Sequence, residues 1–312
     1  MNAFARDILS GLRSSPKRLP SKYFYDAAGD ELFRKIMELP EYYLTRAEHA
    51  LLEARKEDIG QVLGGQPFDI IEPGAGSGEK TRVLLRHFLA QGLVFRYLPI
   101  DISPNALDLL REDLEQELPG LEVQTLAGDY FRELAALPFT EGRRRLVLFL
   151  GSNIGNYTFP EAEDLLRLIA GSLRPGDLLL IGFDMKKDPA RILAAYDDAA
   201  GVTRDFNLNL LTRINLELGA DFDRSAFRHW AVYNPLSGAC ESYLVSLRAQ
   251  TVRLKALGEV VRFEAWEAIY MELSQKYDIA AIEGLAAGAG FGRKQAFFDE
   301  GNGYLLDLWE RD

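Results

Sequence analysis

The 312-residue chain is 47% apolar and 27% charged, proportions of a globular protein with room for one large domain or two modest ones. Its formal charge of −11 argues against sequence-independent binding to nucleic acid or an anionic membrane, since such binding needs a positive surface. Cys240 is the only cysteine, so no internal disulfide can form, and the three histidines lie far apart with no cysteine pair and no helical spacing. No metal is expected. The N-terminal stretch has no uninterrupted apolar signal core and no segment approaches spanning length, so a soluble cytoplasmic protein is expected.

Residues 1–50 read as mainly helical, with apolar residues at helical spacing broken at Pro40. From "FDIIEPG" onward the chain alternates strands and helices. "FDIIEPG" is a first strand and "EKTRVLLRHFLAQ" a helix; "FRYLPIDIS" is a second strand and "PNALDLLREDLEQEL" a helix started by Ser103 and Pro104. "LEVQTLAGDY", "RLVLFLGS" and "GDLLLIGFDM" are further strands, with the helix "FPEAEDLLRLIAGSL" between the last two. This rhythm predicts a parallel sheet covered on both faces. Near the C-terminus, "KQAFFDEGNGYLLDLWE" predicts an antiparallel hairpin. Over roughly 187–275 the rhythm breaks into one helical stretch and several strands. The expected organisation is therefore a Rossmann-like α/β domain of residues 51–186 plus 276–312, and a smaller α+β domain of residues 1–50 plus 187–275.

The turn after the first strand, "GAGSGEKT" at 74–81, admits two readings. A phosphate-cradling P-loop needs glycine directly before the lysine, but Glu79 stands there, and its carboxylate would oppose a bound phosphate. Alternating glycines instead suit a tight strand-to-helix turn that lets a nucleoside approach the backbone. Asp101, ending the second strand, can accept from ribose hydroxyls, and Asp129, ending the third, from an adenine amine. With no pyrophosphate to repel Glu79, S-adenosylmethionine fits better than a dinucleotide, and Lys80 can meet its carboxylate. A nucleotide hydrolase is the rival of a different class.

Over nearly its whole length the chain resembles the S-adenosylmethionine-dependent histidine Nα-methyltransferases of ergothioneine biosynthesis. The stretches that carry the resemblance are "SKYFYDAAGDELFRKIMELPEYYLTRAE", "GAGSGEKTRVLL", "DISPNAL", "FLGSNIGN", "AYDDAAGVTRDFN", "LELGADFD" and "YMELSQKY". The resemblance implies a class I methyltransferase sheet with a family-specific substrate domain, and transfer of methyl groups to the α-amino nitrogen of L-histidine, successively to the trimethyl betaine. It implies cofactor contacts from Gly74, Lys80, Asp101, Asp129 and Tyr130. It implies that Tyr43, Asn156 and Tyr196 hold the amino-acid moiety, with Tyr43 nearest the chemistry, and that Glu272 and Ser274 grip the imidazole.

These roles suit the residue types: hydroxyls and an amide can serve a carboxylate, and one carboxylate plus one hydroxyl can satisfy two ring nitrogens. Each has a plainer alternative. Tyr43 and Tyr196 also read as packing aromatics, Asn156 as a cap of the following helix, and Glu272 as a solvated carboxylate. In family members a methionine lies near the substrate ring where this chain has Ser242, which opens room for another amino acid or small amine. A non-catalytic binding protein is a further alternative. The expected partner is a small-molecule amino acid, and a monomer suffices for this scheme.

Overall fold

The computed structural model describes residues 2–312 and divides them into two compact units. The larger holds Leu44–Lys186 and Tyr277–Asp312, and the smaller the residues up to Tyr43 together with Lys187–Lys276. The first crossing falls at Tyr43/Leu44 rather than 50/51, because Leu44–Leu63 is a single uninterrupted helix that belongs wholly to the larger unit. No helix among the described residues is long and apolar enough to cross a membrane.

The larger unit is built on one eight-stranded sheet. Its path runs Phe291–Phe298, Tyr304–Arg311, Leu178–Asp184, Arg144–Phe149, Phe68–Pro73, Phe95–Asp101, Glu122–Val123. Strands Phe68–Pro73 and Leu178–Asp184 are buried at every position, as expected for central strands covered on both faces. All pairings are parallel except those of Tyr304–Arg311, which runs antiparallel to both its neighbours. The helix Pro104–Glu117 starts as its sequence requires: Ser103 accepts from Ala106 N at 3.2 Å and Pro104 follows at the first helical position.

The third predicted strand differs from expectation. "LEVQTLAGDY" forms two short pieces, Glu122–Val123 and Leu126–Ala127, both paired to Phe95–Asp101. Asp129 therefore ends no strand; it is the N-cap of helix Tyr130–Ala136. A helix that the sequence pattern did not single out, Ile279–Ala289, packs on Phe159–Gly171. It is apolar nearly all round, so no clear stripe announces it.

The smaller unit carries a four-stranded sheet in the order Lys17–Arg18, Ala268–Gln275, Ala239–Ser246, Phe227–Asn234, and a separate pair, Gln250–Leu254 with Glu259–Phe263. Helices Ala3–Arg13, Ala27–Glu38 and Val202–Leu218 supply the rest of its core. Phe4, Ile8, Phe24, Phe206, Leu210 and Ile214 pack there with Leu244, Ile269 and Met271 of the sheet.

Candidate active site

In the larger unit the chain leaves the central strand Phe68–Pro73 in opposite directions, with Phe95–Asp101 on one side and Arg144–Phe149 on the other. Such a switch point opens a crevice at the carboxyl ends of the strands. The glycine turn starts there. Gly74, Gly76 and Gly78 have φ of 69°, 53° and 62°, all in the left-handed region that disfavours other residues. A Cβ at Gly74 or Gly76 would meet nothing within 4 Å, whereas one at Gly78 would come within 2.7 Å of Leu110. Gly78 thus serves packing against the helix Pro104–Glu117, while Gly74 and Gly76 leave open space over the turn.

Asp101 accepts from Gly76 N at 3.2 Å and from Ser103 N at 2.9 Å, so its carboxylate borders that open space and also ties the turn to the neighbouring strand end. Thr81, the residue that made the turn look like a P-loop, is fully buried. Its hydroxyl donates to Glu72 at 2.7 Å, and Tyr97 donates to the same carboxyl. Burial pushes the Glu72 carboxyl up to about 7. The threonine is committed to the core and has no hydroxyl to offer a metal-bound phosphate, so the arrangement fits a nucleoside with no phosphate and not a nucleotide triphosphate.

Lys80 has a partner that sequence reasoning missed. Its ammonium donates to Glu48 at 2.6 Å, and the fully buried Glu48 also accepts from Gly151 N and Tyr304 Oη, each at 2.7 Å. One carboxylate thereby joins the glycine turn, the loop after Arg144–Phe149 and the C-terminal hairpin across the switch point. Its sequence signal was weak, because Glu48 reads as one more charged residue on a helix. Removing one partner of a buried charge cluster typically costs about 3–5 kcal/mol. Glu48→Ala is therefore expected to lower the urea midpoint strongly, and an unchanged midpoint would show that the cluster does not hold these segments.

Asp129 is exposed, and its Oδ1 accepts from Phe131 N and Arg132 N at 3.1 Å each. Tyr130 shares a 2.9 Å hydrogen bond with Tyr157. Asn156 closes the short turn Asn153–Asn156, which begins from Ser152 at a left-handed φ of 54°. Asn156 does not cap the next helix. Thr158 does, its N–H and its hydroxyl both donating to the Glu161 carboxylate at 2.9 and 2.7 Å, so the amide of Asn156 is not spent on capping. These three residues, Gly74, Lys80 and Asp101 all belong to the larger unit.

Tyr43, Tyr196, Glu272 and Ser274 belong to the smaller unit. A β-bulge decides their setting. Ile269 lies opposite Leu244 and Tyr270 opposite Tyr243, but the register then shifts, so that Glu272 lies opposite Ser242 and Ser274 opposite Cys240. Directly opposed residues share a face, and the extra residue Met271 inverts the alternation. Glu272 and Ser274 thus join the inward face of Ile269 and Leu244; without the bulge they would follow Tyr270 to the other face. Ser242, the departure from the family pattern, is buried and stands directly beside Glu272.

Glu272 is half-buried and its carboxylate makes no hydrogen bond to the described residues. Burial pushes its carboxyl up to about 7, opposed by the nearby charge of Lys276. Ser274 Oγ lies 2.6 Å from Tyr196 Oη, and the ammonium of the fully buried Lys276 donates to both, at 2.8 and 2.6 Å. Tyr43 is buried too. Lys187 donates to its hydroxyl at 2.8 Å, and Lys187 and Arg191 both face its ring. Neither tyrosine is simply a packing aromatic.

The smaller unit also buries polar atoms without a hydrogen-bond partner: Thr203 Oγ1, Asn207 Oδ1, Thr212 Oγ1 and both ring nitrogens of His229. The His229 ring is buried on the inward face of Phe227–Asn234, and burial lowers its pKa. Lys187, Lys276 and His229 were all missed in the sequence. Only Lys276 had a readable signal, since in Glu272-x-Ser274-x-Lys276 it continues the same face.

The sheet order, the switch-point glycine turn and the antiparallel C-terminal hairpin define a class I methyltransferase. A sequence profile of histidine-specific, S-adenosylmethionine-dependent methyltransferases matches residues 4–311, and the chain belongs to that family. It is 41% identical over 306 residues to the histidine N-alpha-methyltransferase of Mycobacterium tuberculosis (strain CDC 1551 / Oshkosh), covering 98% of this chain and 94% of that protein. Over the same length and shares it is 40% identical to the protein of the same name from Mycolicibacterium smegmatis. Among solved structures, an S-adenosylmethionine-dependent methyltransferase from Clostridium acetobutylicum ATCC 824 aligns with a TM-score of 0.46 at 10% identity, covering 90% of this chain and 98% of that one.

Proposed function

We propose that the protein transfers methyl groups from S-adenosylmethionine to the α-amino nitrogen of L-histidine, in successive rounds, to give the trimethylated betaine hercynine. The observation that carries this reading is the bulged strand, which presents a half-buried, unbonded carboxylate and a hydroxyl on one face. Glu272 accepts from a ring N–H and Ser274 serves the second ring nitrogen. A side chain without those nitrogens would leave the Glu272 carboxylate unpaired, and polar sites of this kind reject such analogues strongly.

The bound cofactor supplies an electrophilic sulfonium methyl group. The chain's residues bind and orient: Gly74 and Gly76 leave room for the nucleoside, Asp101 accepts from the ribose hydroxyls, and Lys80 is held by Glu48 where it can serve the cofactor carboxylate. Asp129 has one carboxylate oxygen beyond its capping bonds for the adenine amine, with Tyr130 beside it in sequence. Tyr43, Tyr196 and Asn156 serve the amino-acid end of the substrate. The attacking amine must be free of its proton, and Tyr43, whose hydroxyl accepts from Lys187, is the group we assign beside it. Positioning and exclusion of water then account for catalysis without a covalent enzyme intermediate. The net acidic charge and single cysteine suit a cytoplasmic enzyme.

Incubation with cofactor and L-histidine is expected to yield masses increased by one, two and then three methyl groups. Ser242 beside Glu272 favours a second reading, in which a larger or more polar amino acid is the acceptor. Mass spectrometry on a mixture of amino acids separates the two: modification of another amino acid with histidine untouched would overturn the first. Tight binding of histidine in calorimetry with no turnover would instead indicate a binding protein.

A further inference from the structure

We propose that Lys276 is a positioning residue: together with Tyr196 it fills the acceptor sites of Ser274, fixes that hydroxyl as a hydrogen-bond donor toward the substrate ring, and so makes the ring site selective for a neutral imidazole. The inference rests on the histidine reading above. Lys276 is fully buried and follows Glu272 and Ser274 at the same two-residue spacing. Its ammonium lies 4.5 Å from the centre of the Tyr196 ring and bonds to both hydroxyl oxygens.

An ammonium can only donate. Each oxygen therefore accepts from Lys276 with one of its two lone pairs. In the 2.6 Å contact between them one hydroxyl must donate; with Tyr196 donating, both lone pairs of Ser274 are filled and its hydrogen is what it offers a further group. Without the ammonium, Ser274 could accept from a ring N–H as readily as donate to a bare ring nitrogen. With it, Ser274 donates.

Glu272 has the opposite character, because its carboxylate accepts. The two groups together match a neutral imidazole, which has one N–H and one bare nitrogen. An imidazolium has two N–H groups, and one of them would face the Ser274 hydrogen and the Lys276 charge. The buried cation also favours the ionised form of Glu272, which the accepting role needs. A lysine in this position thus sets which hydrogen-bonding pattern of the ring is taken.

The test is steady-state kinetics of the full chain with L-histidine for wild type, Lys276→Met, Ser274→Ala and the double variant. Binding of S-adenosylhomocysteine and the thermal midpoint are followed in parallel. Hydrogen bonds to charged groups predict a rise of about tenfold or more in KM for Lys276→Met, with cofactor-product affinity within about twofold. The thermal midpoint serves as a control, since removing one buried charge can change stability whatever its role in binding. A merely structural lysine would move the midpoint and both affinities together.

Since Lys276 acts through Ser274, the double variant should lose less than the two single losses combined. An unchanged KM in Lys276→Met, or fully additive losses, overturns the proposal. If Lys276→Met yields no folded protein, Lys276→Gln, which keeps an N–H donor without charge, should show a smaller rise in KM; no rise there also overturns it. Wild-type protein that leaves histidine unmethylated refutes the histidine reading itself, whereas an active wild type with an indifferent Lys276 refutes only this inference.

Discussion

Glu272→Ala is expected to raise the KM for L-histidine by about a hundredfold or more, because a site built around a polar ring discriminates through groups left unpaired. Affinity for S-adenosylhomocysteine should stay within about twofold, since Glu272 and the cofactor residues lie in separate parts of the chain's architecture. Comparable losses for both ligands would remove the ring assignment. The wild-type pH profile carries a second signature. The Glu272 carboxyl is pushed up to about 7, so below that pH it gains a proton and becomes an uncharged, weaker acceptor. Turnover at low histidine should therefore rise through pH 7, and Glu272→Gln should remove that contribution while leaving those of the ring and amine. Stability moves the other way. The folded state holds a proton on Glu272 that the unfolded chain releases near 4.5, so this group's contribution declines as pH rises from 4.5 to about 7. The glutamine variant should flatten that slope in urea unfolding.

Asp101→Ala is the second large effect, expected on the cofactor. A carboxylate accepting from ribose hydroxyls is worth about 1.5–3 kcal/mol, so affinity for S-adenosylhomocysteine should fall by about tenfold to a hundredfold in calorimetry. Part of that loss has a structural source, because Asp101 also holds Gly76 N and Ser103 N. Asp101→Asn separates the two contributions. Its amide oxygen can still accept from one of those backbone groups, so the turn should stay closer to its native form while the charge-assisted bonds are lost. Wild-type affinity in both variants would end the ribose assignment.

Most of the larger unit was legible because its signals are local. Period and punctuation identify the central strands and the Ser103–Pro104 helix start, and positive φ explains why Gly74 and Gly76 must be glycines. The third strand was misread because "LEVQTLAGDY" has strand-like alternation, yet only two-residue pieces find a partner on Phe95–Asp101. Pairing, not propensity, set its length. Asp129 changed role for the same reason, becoming a helix cap once the strand stopped short.

Residue chemistry and spacing were enough to argue against the P-loop and to point to a nucleoside turn, whereas the expectation of a ring-binding face at "MELSQKY" came from the resemblance to the histidine methyltransferases. What only the tertiary structure decided are the partners of those residues. Glu48 lies 32 residues before Lys80 and 256 before Tyr304, yet all three meet at one buried carboxylate. No periodicity encodes such a meeting, because a charge buried in the core is tolerated only where distant segments bring donors to it. The bulge at Met271 is likewise invisible to a pattern of period two, although it turns Glu272, Ser274 and Lys276 inward. Register is a property of two strands at once, and a single sequence run determines only its own half of it.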